Sequence, residues 1–555
     1  MTSNESPEGL PDAFSNRGEW ILARRIALIG GVVLLAALYI FTSPANRTEA
    51  DDAFWYAWDV ETQPWSGLLH PHHLLYLPIA RVTWLAVRFL GVADRAYPVM
   101  VAAGAVAAAA AVVVSWDTLV RRADFEGIRA TLTVGLLAFS YGFWRYSAEA
   151  EVYALALLWC AALVNLALAS RLGRRGGLAL VLLGATAPLV HILTAALAGI
   201  AAPVAIGLRR GWRSAMSYVA VAGSIGLALA AAGYRLASQP GDGMLAFYMG
   251  GKSAGGIDGA GGAAKHVVAA AQAVVSGNFL FMYPSFREQF ASWFPTRMLA
   301  DELYAGVHAT VAIKLLAPLT LGGLLFASIW FLHSGRSTWA HRHRGPTGAV
   351  ALALVWLMLH VGLGLRFSRA GNPEYWLLSL LPAWLLFACI FVPPVGKRLS
   401  APLLALVIAL FAHNLVGGLW VYHSPDGDRG LAKGGWLIEN TTSEDAVLTA
   451  DSPVFFRYLR YRAPSTVIDL QGRTEEELRE IWAGGPDVSG LVFATDDVFR
   501  PADYYRALRP AEADGLREFG QTVEYEFERI VADEFGGIWK WTAGQAAGSV
   551  VESGP

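Results

Sequence analysis

Cysteine is almost missing from this 555-residue chain: Cys160 and Cys389 are the two, both inside apolar stretches. Their scarcity excludes a disulfide framework and a cysteine-based metal cluster. Charge is scarce too, at 16% of residues, against about 25% in an average soluble domain. With a net charge of −2 and no Lys/Arg-rich run, nothing in the chain suits nucleic acid. No internal repeat is visible, which weighs against a transporter built from duplicated halves. What the chain does have is apolar length. Hydrophobic residues make up 55% and the mean hydropathy is +0.41, the composition of a multi-pass membrane protein.

Residues 1–20 are rich in polar residues, Pro and Gly, and read as a disordered tail. Arg24 and Arg25 then precede an apolar run to Phe41 with no A-x-A site after it, so a retained anchor is expected rather than a cleaved signal. Further runs near 97–118, 127–146, 149–170, 176–208, 212–237, 309–332, 347–366, 375–394 and 399–422 approach the roughly 20 residues a span needs. The block 176–208 is long for one helix, and Pro188 and His191 at its middle suggest a hairpin. Residues 73–92, interrupted by Arg81 and Arg88, are placed on the outer surface. With both choices, the arginine clusters at 24–25, 121–122, 171–175, 209–213 and 342–344 and the Lys397/Arg398 pair all fall on the cytoplasmic side, as the positive-inside rule requires. The expected architecture is an α-helical polytopic domain over 21–423 with about eleven spans. The N-terminus is then cytoplasmic and the C-terminus outside, in the plasma membrane.

Three outward segments follow from that topology: a loop at 44–96, a Gly-rich loop at 238–308, and a tail over 424–555. The tail carries 24 acids and 13 bases. Short β-branched or aromatic runs at 446–450, 466–470, 490–494, 522–531 and 537–542 alternate with helical ones, and Thr474 and Glu477 are spaced as a capping box. A small extracytoplasmic α/β domain is expected there.

Acids near a bilayer are informative because they are costly inside it. Asp51, Asp52 and Asp59 sit among Phe54, Trp55, Tyr56 and Trp58 just past the first span, and Glu149 and Glu151 open the stretch at 149–170. Taken as helical, Glu149 and Glu151 point apart, so one of them at most faces the Asp51/Asp52 loop. Two acidic sites converging on one membrane face suggest a carboxylate base beside a sugar-binding aromatic shelf.

Phe143-Trp144, Ala150-Glu151-Val152-Tyr153 and His191-Ile192-Leu193-Thr194 together resemble a bacterial group of GT-C glycosyltransferases related to protein O-mannosyltransferases. Asp51/Asp52 and His70-Pro71…Leu75-Tyr76 match that group's acidic and His-Pro segments, and Asp451…Tyr458-Leu459 resembles its soluble end more loosely. The group's Gly-Asp-Ser-Gly-Glu is absent, and His72-His73 follow the His-Pro pair instead of Pro-Gly. Either aspartate can match the acid, with Tyr56, four residues after Asp52, favouring Asp52.

The resemblance implies a GT-C-like fold and inverting transfer of a sugar from a polyprenyl-phosphate donor to an acceptor hydroxyl at the outer face, mannosyltransferase-like, in cell-envelope assembly. Asp52 or Asp51 would be the base, and Glu151 would position acceptor or base, or hold a metal. No cofactor is required, although a divalent metal is compatible. The departing phosphate needs a cation, and Arg366 and Arg369 are the candidates, beside Glu374 in a short outer loop. Trp55, Trp144 and Trp376 would shape the pocket, with His70, His73 and His191 as further substrate contacts. The acceptor, whether protein, lipid or glycan, is left open. His360 and His413 read as core histidines and Lys314 as a snorkelling side chain. Gly250-Gly251-Lys252-Ser253 lacks the first glycine of a phosphate loop, and the 250–262 stretch reads as a loop able to close over substrate. A lipid or polysaccharide transporter, or a non-catalytic membrane scaffold, is the alternative.

Overall fold

The computed structural model describes residues 17–45, 51–237, 243–249, 259–295, 300–339, 347–367, 373–392, 400–483, 489–533 and 536–542. The chain starts with α1 (Arg17–Phe41), α2 (Asp51–Thr62), α3 (Tyr76–Phe89) and α4 (Ala96–Arg122). There follow α5 (Gly127–Ala138), α6 (Tyr141–Ser147), α7 (Val152–Ala167), α8 (Arg174–Val190), α9 (Ala202–Arg210) and α10 (Trp212–Leu236). Short helices α11 (Met244–Met249), α12 (Gly259–Val274), α13 (Pro284–Trp293) and α14 (Ala300–His308) precede the long α15 (Val311–Trp339) and α16 (Thr347–Phe367). The membrane domain closes with α17 (Leu377–Phe391), α18 (Ser400–Asn414) and α19 (Trp420–His423).

Among the described residues, six helical stretches are long and apolar enough to cross a membrane, or eight if each of two bent pairs counts as one span. Residues 96–122 and 212–236 match their expected runs closely. At 14 residues α3 is shorter than a span needs. The 176–208 block does divide at its middle: α8 ends at Val190, His191 is extended, and helix resumes at Ile192. One expectation fails. The stretch from 149 is not helical from its start, because α6 and α7 meet at 115° with Glu149 and Glu151 in the bend.

Small residues make that bend tolerable. Helix α4 buries Gly104, Ala105, Ala108 and Ala111, and small side chains let helix backbones approach closely. Gly104 lets the backbones approach closely here: a Cβ on it would stand 3.1 Å from the Glu149 carbonyl oxygen, a tight contact.

The soluble domain comprises α20 (Arg429–Asn440), β1 (Ala446–Thr449), α21 (Pro453–Arg462), β2 (Thr466–Asp469), α22 (Glu475–Ala483), β3 (Val492–Thr495), α23 (Asp503–Leu508), α24 (Pro510–Val523), β4 (Phe527–Asp533) and β5 (Gly536–Trp541). Strand order is β2-β1-β3-β5-β4. The first three strands are parallel, with Ala446 opposite both Thr466 and Val492, while β5 and β4 join antiparallel. Buried β1 and β3 side chains alternate between two cores, Ala446, Leu448, Val492 and Ala494 facing one and Val447 and Phe493 the other. The capping box at Thr474 and Glu477 is formed. The expected strand at 522–531 is corrected: residues to Val523 belong to α24, and β4 starts at Phe527.

Candidate functional site

Helix α2 is the platform. Phe54 is buried, stacks on Tyr97 of α4 at 4.6 Å, and meets Tyr458 of α21 edge-on. Its last turn leaves carbonyls unpaired within the helix, and buried Arg81 of α3 donates to two of them, Val60 at 2.8 Å and Asp59 at 3.3 Å. Glu61 accepts from the Ala96 amide at the start of α4, from Tyr461, and from Arg95. An acid at a helix N-terminus is favoured by the helix dipole, so Glu61 ties three elements together.

On this platform Asp52 and Tyr56 are one helical turn apart. Tyr56 donates to Asp52 Oδ2 at 3.3 Å, and Arg457 of α21 donates to Asp52 Oδ1 at 2.8 Å. Tyr56 and Tyr76 lie edge to face, 5.4 Å between ring centres. Burial pushes both hydroxyls well above their usual values. After burial, Tyr56 responds first to the charge of Asp52 and then to Glu151, whereas Tyr76 responds first to Glu151 and then to Asp52. The two acids therefore flank one tyrosine pair. Glu374 also acts on Tyr56.

Glu151 is 7% exposed and lines a narrow cleft between α3, α4 and α7. Most of the wall is apolar, including Ile79, Val99, Met100 and Leu155, with Tyr76 and Thr83 as further polar residues. The arrangement is an apolar slot with a carboxylate in its wall, next to a second, half-exposed carboxylate.

Other predicted residues gather around it. His73 packs edge-on against Tyr56 at 5.1 Å and stacks on His70 at 4.0 Å. His191 lies 5.1 Å from Tyr153, and its segment holds the histidine turn in place through Ile192 N–H to His72 carbonyl and Leu75 N–H to Leu189 carbonyl bonds. Among the described residues no three His, Cys, Asp or Glu side chains gather as metal ligands. Trp55 is partly exposed under Arg457, 4.9 Å from ring to guanidinium.

Two tryptophans are placed otherwise. Trp144 is wholly buried, donates to Thr42 at 2.8 Å and stacks on Phe411, so it builds the helix core rather than the pocket. Trp376 is buried against His266 and His360. Glu149 is also structural: it pairs with buried Arg145 and accepts from Tyr97. His360 and His413 bond the Tyr375 and Ser276 carbonyls as core residues. Asp51 begins α2 and Arg366 lies near the end of α16, but their side chains, Arg369 and the 250–258 part of the Gly-rich stretch lie outside the described residues.

Sequence reasoning missed Arg457, Tyr76 and Tyr153 as members of the group. Both tyrosines stand inside the motifs that drew attention to this region, which was the available signal. Arg457 carried none.

No protein-family model matches the sequence, and no curated protein matches it. Among solved structures, ArnT from Cupriavidus metallidurans bound to undecaprenyl phosphate superposes with a TM-score of 0.53 at 10% identity, over 97% of this chain and all of that one. The fold is GT-C. Archaeoglobus fulgidus oligosaccharyltransferase, in complex with Zn and sulfate, is less similar, with a TM-score of 0.47 at 12% identity over 92% of this chain and 73% of its own. In this chain a helical domain is followed by a small α/β domain docked on α2.

Proposed function

We propose that this chain is a membrane glycosyltransferase that moves a sugar from a polyprenyl-phosphate donor to an acceptor hydroxyl. The observation that carries this reading is the pair Asp52 and Glu151 flanking Tyr56 and Tyr76 beside an apolar slot. A lipid-linked donor explains why a carboxylate, Glu151, stands in the wall of an apolar cleft, a costly position otherwise. The solved relative of the same fold, ArnT, binds undecaprenyl phosphate.

In the proposed step the acceptor oxygen attacks the anomeric carbon from the face opposite the phosphate. The new C–O bond forms as the bond to phosphate breaks, and its electron pair leaves with the lipid phosphate. Asp52, or Asp51 beside it, takes the hydroxyl proton, a contribution of about 10²–10⁴-fold. Glu151 orients the acceptor. Arg366 and Arg369 receive the phosphate charge, and Glu374, His70, His73, His191 and Trp55 complete the pocket. A mannosyl donor, a cytoplasmic N-terminus and an extracytoplasmic soluble domain belong to the same proposal, and any metal would sit at Glu151 with the aspartates.

Membranes containing the protein, supplied with polyprenyl-phosphate sugar labelled at the anomeric carbon, test this. The expected product has the anomeric configuration opposite to the donor's. Retained configuration would contradict inversion, and no transfer with any polyprenyl-phosphate sugar would overturn the reading.

A further inference from the structure

The cation bonded to the proposed base comes from the soluble domain. Helix α21 lies along α2 and is pinned there by two buried tyrosines. Tyr458 meets Phe54 edge-on, and Tyr461 donates to Glu61 at 2.7 Å while accepting from the Tyr97 amide at 3.1 Å. Arg95 adds a bond to the Tyr461 carbonyl at 2.6 Å. At its start α21 is capped by Ser452, which accepts from the Phe455 amide at 3.2 Å, and the preceding Asp451 accepts from Lys433 at 2.7 Å. A helix held at both ends delivers Arg457, which lies between the cap and Tyr461, to a defined place.

There the Arg457 guanidinium lies 4.9 Å over the Trp55 ring and donates to Asp52 Oδ1 at 2.8 Å. That bond is short and charge-assisted, whereas the Tyr56 bond to Oδ2 is long, at 3.3 Å. A carboxylate offers about four acceptor sites over its two oxygens. The arginine therefore fixes the carboxylate through one oxygen and leaves acceptor capacity on the other, the one beside Tyr56. Asp52 is half-exposed, so an acceptor hydroxyl has access to it.

An ion pair this exposed adds little to stability. Orientation of a reacting group weighs more, since a misplacement of about 1 Å can cost about 10²-fold in rate. We infer that Arg457 is a positioning residue for sugar transfer, holding the Asp52 carboxylate so that Oδ2 takes the acceptor proton, and that the soluble domain thereby completes the transfer site. This rests on the reading of Asp52 as the base. The hydroxyl proton passes to Oδ2, and the electron pair of the O–H bond stays on the oxygen that attacks the anomeric carbon.

The test measures kcat and donor KM of the full-length protein in membranes, with the polyprenyl-phosphate sugar that the wild type transfers. Arg457→Gln is expected to lower kcat by about 10–100-fold with donor KM little changed. Arg457→Lys, which keeps the charge and loses the planar fork, should recover part of that loss. Arg460→Gln, another α21 cation, 5.0 Å from the Trp58 ring, should keep the wild-type kcat. In an Asp52→Asn background Arg457→Gln should cost nothing further, because the two residues act as one unit. If Arg457→Gln does not accumulate in membranes, Arg457→Lys carries the same comparison in both backgrounds. Wild-type kcat in the Arg457 variants, a full further loss on top of Asp52→Asn, or a raised donor KM alone each overturns the positioning role. A wild type inactive with every polyprenyl-phosphate sugar overturns instead the reading on which that role rests.

Discussion

Arg457 of the soluble domain holds Asp52 of the membrane domain at 2.8 Å across 405 positions of sequence. The bond is partly exposed, with side-chain exposures of 24% and 46%, so its contribution to docking is modest, about 0.2–1 kcal/mol. A double-mutant cycle of Asp52→Asn and Arg457→Gln, read by thermal unfolding, should return a coupling in that range. Zero coupling would mean that the ion pair does not form.

Glu149 and Glu151, two residues apart, should behave oppositely. Glu149→Gln removes a carboxylate that pairs with buried Arg145, and losing one partner of a buried ion pair is destabilising. Low yield or an early melt is expected. Glu151→Gln should fold normally and lose transfer. A stable Glu149→Gln variant would contradict the structural role given to that residue.

Much of this architecture was legible because apolar length is a strong signal, and α4, α10 and α16–α18 follow it. In the soluble domain, β1 to β3 were legible from their β-branched runs. The bend at Ser147–Val152 was not. Both sides of it are rich in apolar and aromatic residues, and the close approach of Gly104 on another helix is not visible from the local sequence. The run at 522–531 misled because Thr522 and Val523, good strand formers, complete α24 before β4 starts. Trp144 misled because its spacing from Glu151 is compatible with either a pocket wall or a core tryptophan. Arg457 was illegible, since nothing local records which distant helix a solvated arginine will meet.

If the cleft between α3 and α4 seats the donor's lipid chain, filling it should weaken donor binding alone. Ala103 lines the cleft and is exposed, so Ala103→Trp can be accommodated without breaking the core. A raised KM for the lipid donor with kcat little changed is expected. An unchanged KM would place the chain elsewhere.

The soluble domain should carry a pH dependence centred on Asp497. Its buried carboxyl lies beside Asp451, and burial first, then that charge, raises it to about 6 although Lys433 is 3.0 Å away. An acid raised in the folded state binds more protons there than in the unfolded chain between about pH 4 and 6. Its contribution to stability therefore falls as pH rises through that window and is flat above it. Asp497→Asn should reduce the difference between melting temperatures at pH 5 and pH 7. An identical difference in both proteins would contradict the assignment.

The most direct test compares sugar transfer from a radiolabelled polyprenyl-phosphate donor by wild type, Asp51→Asn, Asp52→Asn and Glu151→Gln in membranes, with expression matched. Losses of about 10²–10⁴-fold for Asp52→Asn and a marked loss for Glu151→Gln are predicted, with Asp51→Asn much closer to wild type. Wild-type rates in both Asp52→Asn and Glu151→Gln would contradict a reaction at the Tyr56–Tyr76 pair.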